Sequence, residues 1–254
     1  MIALRSKAEV ESLRASCRIV GEILQRLREE SRPGQSTGEL DRLAENWTKK
    51  AGAEPAFKGY TVGGNTYPWT LCVSINEEVV HGMPSDDRIL KDGDIVGLDF
   101  GVIRNGYYGD GAITIPVGEV AEEAKKLIRV ASESLDRGIE KLCIGNRIRD
   151  ISAAIQEHAE GGGYGVVRDF VGHGIGQRLH EDPQVPNYVS RGQNPRIKEG
   201  MVLAIEPMVC LGTWEVDVLE DGWTAVTRDR KIAAHFEHSV AVTADGPEVL
   251  TVAA

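Results

Sequence analysis

Hydrophobic residues three or four positions apart predict two pairs of amphipathic helices along the chain. The first helix begins at a capping box formed by Ser6 and Glu9 and ends before Pro33. The second begins at Ser36 and ends at Gly52. Their apolar faces consist of Val10, Leu13, Cys17, Val20, Leu24 and Leu27 in the first helix and Leu40, Leu43 and Trp47 in the second. The chain is therefore expected to open with a helix pair.

A second helix pair is predicted in the other half of the chain. The apolar face of the third helix is formed by Val120, Ala124, Leu127, Ala131 and Leu135. The fourth helix begins at Asn146 and stops at Gly161, and its apolar face is formed by Ile148, Ile151 and Ile155. Runs of β-branched residues, which are typical of strands, follow each pair. A helix pair followed by strands thus occurs twice, which indicates an internal duplication.

Two matching segments carry acidic residues inside apolar runs. The segment LKDGDIVGLDFG contains Asp99, and the later segment IKEGMVLAIEPM contains Glu206 at the equivalent position. Each apolar run predicts a buried strand, where a charge is costly unless a partner compensates it. Two such residues at equivalent positions favour one shared positive partner, most simply a metal ion. The prediction is a single α+β domain over residues 1–254, with antiparallel strands and repeat halves at about 1–118 and 119–254.

Composition narrows the classes of function. The formal net charge is −10 and no block of Lys or Arg stands out, so a nucleic-acid partner is not expected. No apolar run reaches the length of a signal peptide or a membrane span, so no membrane association is expected. The chain has four cysteines, Cys17, Cys72, Cys143 and Cys210. Because they are far apart and form no CxxC pair, they indicate a reducing compartment and predict a cytoplasmic location.

The first candidate ligand pair lies on a predicted hairpin. Asn105-Gly106 is a strong signal for a two-residue turn, and such a turn pairs Gly101 with Asp110. Asp99 then becomes the diagonal neighbour of Asp110, with Cα atoms roughly 7–8 Å apart. At that distance two carboxylates can converge on a cation, which removes their mutual repulsion. The alternative is a hairpin whose Asp residues form only turn and edge hydrogen bonds, and a one-residue bulge would change the register.

The second half supplies two further carboxylates. Glu206 in MVLAIEPM and Glu237 in AAHFEHSVAV have apolar neighbours on strands that are predicted to be largely buried. For either residue alone, a salt bridge in the core is the better interpretation. Together with the Asp pair and the repeat, they favour a cluster of four carboxylates and one histidine. Oxygen ligands with one imidazole suit Mn, Fe, Co or Zn in a two-metal site.

The chain has six histidines. His173 lies between two glycines, which allow close approach to a ligand; the alternative is a simple turn residue. His81 and His180 are each followed by loop-forming residues, which places them at the rim of a cleft. The others, His158, His235 and His238, are assigned to packing or solvent.

At these residues the chain resembles the methionine aminopeptidases, specifically the bacterial type I enzymes of the pita-bread fold, in the M24 metallopeptidase family. The similarity runs from about residue 3 to 250. It is carried, in family order, by CVSINEEVVHGMP, GLDFG followed by GYYGDG, GHGIGQRLHEDPQVPNY, IEPM, DGWT and FEHSVAVT. The segment between His180 and Glu206 is too short for the helical insertion of the type II enzymes. The resemblance implies a curved central sheet and metal-dependent removal of N-terminal methionine when the second residue is small.

The resemblance also implies the roles of individual residues. Two divalent ions (Co, Mn, Fe or Zn) would be held by Asp99, Asp110, His173, Glu206 and Glu237, with Asp110 and Glu237 bridging. His81 and His180 would contact the substrate near the scissile bond, and Glu206 would relay a proton. Tyr67, Cys72 and Trp223 match substrate-pocket positions, and such a lining suits a methionine thioether. The implied partners are peptide and nascent-chain N-termini, the ribosome transiently, and no second subunit.

Three departures from the family pattern concern the surroundings of the site. Gly111 follows Asp110 where relatives often have a hydroxyl residue, and Leu179 stands where many have an aromatic residue. The loop at Gly63-Gly64-Asn65 lacks an expected aromatic residue.

Alternative functions leave features of the chain unexplained. A prolidase or Xaa-Pro aminopeptidase shares the fold and ligands, but its relatives usually carry an additional N-terminal domain. A non-catalytic pita-bread binding module would be expected to lose ligands or the two auxiliary histidines. A glycosidase with a carboxylate pair has no use for His173 or for a duplicated ligand set.

Overall fold

The structure, a computed structural model, describes residues 2–253. The helices are α1 (Lys7–Glu30), α2 (Thr37–Lys50), α3 (Glu122–Glu140) and α4 (Ile148–Gly161). The strands of the first half are β1 (Glu54–Pro55), β2 (Thr61–Val62), β3 (Asn65–Thr66), β4 (Leu71–Ile75), β5 (Glu78–Val80), β6 (Ile95–Arg104) and β7 (Tyr107–Pro116). Those of the second half are β8 (Gly165–Val166), β9 (Gly172–Gly174), β10 (Glu181–Val185), β11 (Val202–Ile205), β12 (Met208–Cys210), β13 (Val216–Val218), β14 (Ala225–Thr227), β15 (Ala233–His235), β16 (Glu237–Thr243) and β17 (Gly246–Val249).

Both predicted helix pairs form where the apolar periodicity places them. The Ser6 side chain accepts a hydrogen bond from the backbone of Glu9, and the Glu9 carboxylate accepts one from Ser6, so the capping box is confirmed. Ser36 caps α2 through the backbone N–H of Glu39. No helix among residues 2–253 is long and apolar enough to cross a membrane.

The central sheet joins the two halves of the chain. Its order is β1-β6-β7-β16-β11-β9-β10, with β4 also paired to β6 and β17 to β16, and every pairing is antiparallel. The halves meet where β7 pairs with β16, with Ala112 opposite Glu237. Mixed helices and antiparallel strands confirm the predicted α+β class.

The β6–β7 hairpin has the predicted register. Asn105 and Gly106 both have positive φ angles, 52° and 77°, as a two-residue turn of this type requires. Gly101 therefore lies opposite Asp110, and Asp99 lies opposite Ala112. The chain continues without a bulge through the whole ladder.

Two predicted continuous strands are interrupted, which corrects the expectation for the segments that carry Glu206 and Glu237. β11 ends at Ile205, and the chain then passes through Glu206 and Pro207 into β12, which belongs to a separate sheet of order β15-β12-β8. Pro207 has no N–H to donate to a ladder, so it cannot continue the strand in the middle of the sheet. Similarly, Phe236 separates β15 from β16. Both glutamates thus lie where the chain crosses between sheets.

The hydrophobic core lies between the helices and one face of the central sheet. Leu98 and Phe100 of β6 pack with apolar residues of α1 and α2, and Leu203 and Val240 pack with residues of α3 and α4. Contact with α1 is close, since a Cβ atom at Gly109 would lie 2.6 Å from the backbone nitrogen of Cys17. Successive side chains in a strand point to opposite faces. The residue between Leu98 and Phe100, and the equivalent residues of the neighbouring strands, therefore point away from these helices.

Candidate metal centre and active site

Strand register gathers the acidic residues on the face that points away from the helices. Asp99 is directly opposite Ala112, which is directly opposite Glu237, so these positions share one face, and Asp110 shares it because it is two residues from Ala112. His173 of β9 lies opposite Ala204, two residues before Glu206. The five predicted ligands therefore come together from β6, β7, β9, β16 and the break after β11.

The ligand atoms are close enough to share a cation. Asp110, His173 and Glu237 each offer an atom that lies within 4.8 Å of the others. Nε2 of His173 is 3.9 Å from Oδ2 of Asp110 and 3.5 Å from Oε1 of Glu206. Asp99 lines the same cavity as these four residues.

Burial makes this cluster costly without a cation. Removal from water raises the pKa of Asp99 to about 7. Burial and the neighbouring carboxylates raise the pKa values of Asp110, Glu206 and Glu237 well above their ordinary range. Among the described residues that line the cavity there is no Lys or Arg to compensate them. The missing positive charge must come from outside the chain or from bound protons.

The orientation of the polar atoms fits a divalent metal ion. Nδ1 of His173 lies 2.9 Å from the carbonyl oxygen of Gly174, which can only accept, so Nδ1 carries the hydrogen and Nε2 presents its lone pair to the carboxylates. Burial lowers the pKa of His173 to about 3, which keeps the ring neutral. Oδ1 of Asp99 and Oε1 of Glu237 are buried without a hydrogen-bond partner among residues 2–253. Free carboxylate oxygens and one neutral imidazole are the ligands that Mn, Fe, Co and Zn accept.

The stability of the metal-free protein should depend on pH because of the raised pKa values of these carboxyl groups. In the unfolded chain the carboxyl groups ionise near pH 4, whereas in the folded protein their pKa values are raised, so the folded state holds more protons between these values. Stability then falls as pH rises, by about 1.4 kcal/mol per pH unit for each extra proton. We expect the melting temperature without metal to be lower at pH 8.5 than at pH 6.5.

Between pH 6.5 and 8.5 the histidines of the site do not oppose this loss of stability. The pKa values of His81 and His173 are lowered to about 4 and about 3, so their contribution to stability is lost only as pH falls below about 6.5. Saturating divalent metal should reverse the trend, because binding requires deprotonated ligands and strengthens with pH. A metal-free melting temperature that rises between pH 6.5 and 8.5 would contradict the proposed cost of the carboxylate cluster.

A cavity of about 250 Å³ extends from the acidic cluster toward the surface. The three predicted pocket residues Tyr67, Cys72 and Trp223 line it. Cys72 does so because it lies directly opposite Asp99 across β4 and β6. The rings of Tyr67 and Trp223 meet edge to face with centroids 5.2 Å apart. The Tyr67 hydroxyl shares its one hydrogen between the backbone oxygens of Leu71 and Gly82, each 3.1 Å away. The result is a fixed, largely apolar wall.

His81 and His180 both line the cavity, as predicted. His81 has a φ angle of +61°, a conformation uncommon outside glycine. Its ring is perpendicular to that of Phe170, with ring centroids 5.2 Å apart. Burial lowers its pKa to about 4. His180 is exposed at the mouth, and its ring centroid is 4.4 Å from that of His173. Enough protein surrounds the His180 ring to lower its pKa as well. Both imidazoles are therefore neutral near pH 7.

The structure adds lining residues that the sequence did not reveal. They are Phe57, Tyr60, Val62, Val80, Phe170 and Val171. Tyr60 falls in the region 56–70, which was predicted to be an irregular loop, but which contains the β2–β3 hairpin. The irregular composition of that region was the available signal for a site-lining segment. Phe170 precedes His173 by three residues and carried no signal of its own.

The departures at Gly111 and Leu179 have different consequences. A Cβ atom at Gly111 would lie 3.3 Å from Val20 on the helix side of the sheet, so a larger residue here would press on α1. The backbone N–H of Gly111 donates to Oδ1 of Asp110 at 3.1 Å, which supports that carboxylate without a hydroxyl neighbour. Leu179 is buried and lines the cavity, so the identity of this residue contributes to the shape of the cavity.

Comparison with known proteins covers the whole site. The chain matches the model of metallopeptidase family M24 over residues 11–244. It is 53% identical over 251 residues to a methionine aminopeptidase from Clostridium acetobutylicum, with 99% of each chain covered. It is 49% identical over 251 residues to methionine aminopeptidase 1 from Bacillus subtilis, again with 99% of each chain covered.

Solved structures agree with the sequence comparison. The crystal structure of a methionine aminopeptidase from Thermotoga maritima matches with a TM-score of 0.95 and 45% identity, over 99% of this chain and 100% of that one. Prolidase from Pyrococcus furiosus matches with a TM-score of 0.79 and 26% identity, over 99% of this chain and 66% of that one. The similarity to the aminopeptidase is thus greater in fold, in sequence and in coverage.

Proposed function

Because the chain belongs to metallopeptidase family M24, and within it to the methionine aminopeptidases, we propose that it removes N-terminal methionine from peptides with a small second residue. The fold is the pita-bread fold of that family. The observation that carries the assignment is a cluster of four carboxylates, two buried and two half-buried, with one oriented imidazole, on the wall of a largely apolar cavity. Such a cluster has no use in a binding module that acts without metal.

The chain is a divalent-metal enzyme, and we propose that it holds two ions. Asp99, Asp110, His173, Glu206 and Glu237 would hold them, with Asp110 and Glu237 shared between the two. When bound, such ions lower the pKa of water and polarise a carbonyl group. In support, five side chains with ligand atoms line one cavity, and Oδ1 of Asp99 and Oε1 of Glu237 have no hydrogen-bond partner among residues 2–253.

Substrate recognition follows from the two ends of the cavity. The wall formed by Tyr67, Cys72 and Trp223 suits a methionine side chain, because sulfur–aromatic contacts add about 0.3–1.5 kcal/mol. With the side chain there, the free α-amino group lies toward the acidic cluster, where its neutral form can donate a hydrogen bond to a carboxylate oxygen. This restricts cleavage to the first peptide bond.

The protein side chains also handle the protons of hydrolysis. Glu206 lines the cavity as part of the acidic cluster, and its carboxylate accepts the proton of the attacking water. His81 and His180 are neutral near pH 7, and each can donate one hydrogen bond to the carbonyl oxygen as negative charge develops there. Glu206 then delivers its proton to the departing amine nitrogen, which completes the reaction.

A substrate comparison tests the assignment. Metal-free protein would be titrated with Co or Mn while hydrolysis of a Met-Ala-Ser peptide and of an Ala-Pro-Ser peptide is followed. We expect cleavage of the methionine peptide only, with activity that depends on metal and is lost with EDTA. Calorimetry should give two ions per chain. Cleavage of the proline peptide alone would favour the prolidase alternative, and saturation of both binding and activity at one ion would contradict the two-ion site.

We further propose that the chain forms a single catalytic domain and acts on nascent chains. A single catalytic domain is supported by the central sheet, which takes strands from both halves. Nascent chains that begin with methionine are the natural substrates, which favours a monomer that acts in the cytoplasm and contacts the ribosome transiently.

A further inference from the structure

Tyr60 belongs to the region 56–70, which was predicted to be an irregular loop, and it contacts one of the histidines at the cavity mouth. Its phenol oxygen lies 2.6 Å from Nδ1 of His180, although the two residues are 120 positions apart. Their rings also meet edge to face, with centroids 5.4 Å apart. Tyr60 lies immediately before the hairpin of β2 and β3, at the end of the hairpin opposite the Gly63-Gly64 turn.

The hydrogen bond decides what His180 can offer to a substrate. A neutral imidazole has one nitrogen that donates and one that accepts. Since Nδ1 of His180 is engaged by Tyr60, only Nε2 remains for the cavity. If Tyr60 donates to Nδ1, Nε2 carries the hydrogen and becomes a donor. If Tyr60 accepts, Nε2 presents a lone pair, which would repel a developing oxyanion.

We propose that Tyr60 is a positioning residue: its hydroxyl donates to Nδ1 of His180 and so keeps Nε2 of His180 protonated and aimed into the cavity. This rests on the proposed function, in which His180 donates to the carbonyl oxygen. The neighbouring His173 is set in the opposite sense by the carbonyl oxygen of Gly174. Two adjacent imidazoles thus present a lone pair at one ligand position and an N–H at the substrate position.

The backbone around Tyr60 is fixed well enough to impose this orientation. The N–H of Tyr60 donates to the oxygen of Phe57 at 2.9 Å, and its carbonyl accepts from Tyr67 at 2.8 Å. Thr61 and Thr66 hydroxyls are hydrogen-bonded across the hairpin at 3.0 Å. Because the backbone of Tyr60 is already held by these bonds, little further backbone freedom is lost when its hydroxyl engages His180.

Removal of the hydroxyl alone provides the kinetic test. Tyr60→Phe keeps the ring against His180, so we expect kcat for a Met-Ala-Ser peptide to fall about tenfold with less than a twofold change in KM, a part of the loss expected for a missing oxyanion donor. Tyr164→Phe removes a tyrosine hydroxyl outside the cavity and should leave both constants unchanged. In a His180→Ala background, Tyr60→Phe should have no further effect. An unchanged kcat in Tyr60→Phe, or full additivity with His180→Ala, would overturn the proposal.

A spectroscopic test is independent of turnover. In ¹⁵N NMR spectra of the zinc-loaded protein, His180 should show an unprotonated, hydrogen-bonded Nδ1 and a protonated Nε2. Tyr60→Phe should shift the tautomer population, whereas Tyr164→Phe should not. A protonated Nδ1 in the unaltered protein would overturn the proposal whatever the kinetics show. If methionine peptides are not cleaved at all, the proposed function fails, while the spectrum still decides the role of Tyr60.

Discussion

Glu237→Gln is expected to remove most bound metal and to lower kcat/KM for a Met-Ala-Ser peptide by about 10³-fold or more. The substitution keeps the shape of the side chain but removes the charge of a proposed bridging ligand. Loss of roughly 4 kcal/mol of transition-state stabilisation by the ions corresponds to this factor. Metal content by elemental analysis and initial rates at saturating Co or Mn would be measured on the same preparations.

The same variant should be more stable than the unaltered protein when metal is absent. Glu237 is 3% exposed and its pKa is raised by burial and by Asp110, Glu206 and Asp99. A neutral amide removes that repulsion, so the metal-free melting temperature should rise, while the stabilisation by added metal should shrink. Glu220→Gln alters an exposed glutamate and should change none of these quantities. Full turnover by a Glu237→Gln protein without bound metal would contradict the proposed ligand role.

The ligand geometry could be predicted from the sequence where local rules determine it. The Asn105-Gly106 turn fixes the register of β6 and β7, and the period of two along each strand then places Asp99 and Asp110 on one face. The repeat indicated that Glu206 is equivalent to Asp99. No local rule placed Glu237 beside Ala112, since that pairing depends on how the two halves meet. Its apolar neighbours and the repeat had favoured Glu237 as a member of the cluster, but without a position in the sheet.

Two features could not be predicted because they arise from changes of sheet or from tertiary contact. The apolar run around Glu206 has the composition of one strand, yet the chain leaves the central sheet there, and only Pro207 hinted at the break. Tyr60 reaches His180 because the hairpin of β2 and β3 closes next to it, a contact between residues that are 120 positions apart. Propensity describes each segment alone, and these features depend on where segments meet.

His81→Asn is expected to retain the metal and to lower kcat by about 10²–10³-fold, with little change in KM. His81 is half-buried, and partial removal from water lowers its pKa to about 4, so the neutral imidazole acts as an oriented hydrogen-bond donor rather than as a cation. Loss of one donor to a developing oxyanion typically costs this factor. Asn is preferred to Ala because the φ angle of His81 is +61°, a conformation that Asn tolerates better than most residues. Steady-state kinetics and elemental analysis provide the measurement.

The separation of rate from metal content distinguishes His81 from the ligands. His81 lies outside the group of Asp110, His173 and Glu237 that could share an ion, and its ring packs against Phe170 and Trp223 instead. His158→Asn changes a histidine that pairs with Glu133 and does not line the cavity, so it should leave both metal content and kcat unaltered. An undiminished kcat in the His81→Asn protein would show that His81 has no role in the mechanism. Loss of metal from this variant would show instead that His81 helps to form the metal site. Both kcat and metal content therefore have to be measured together.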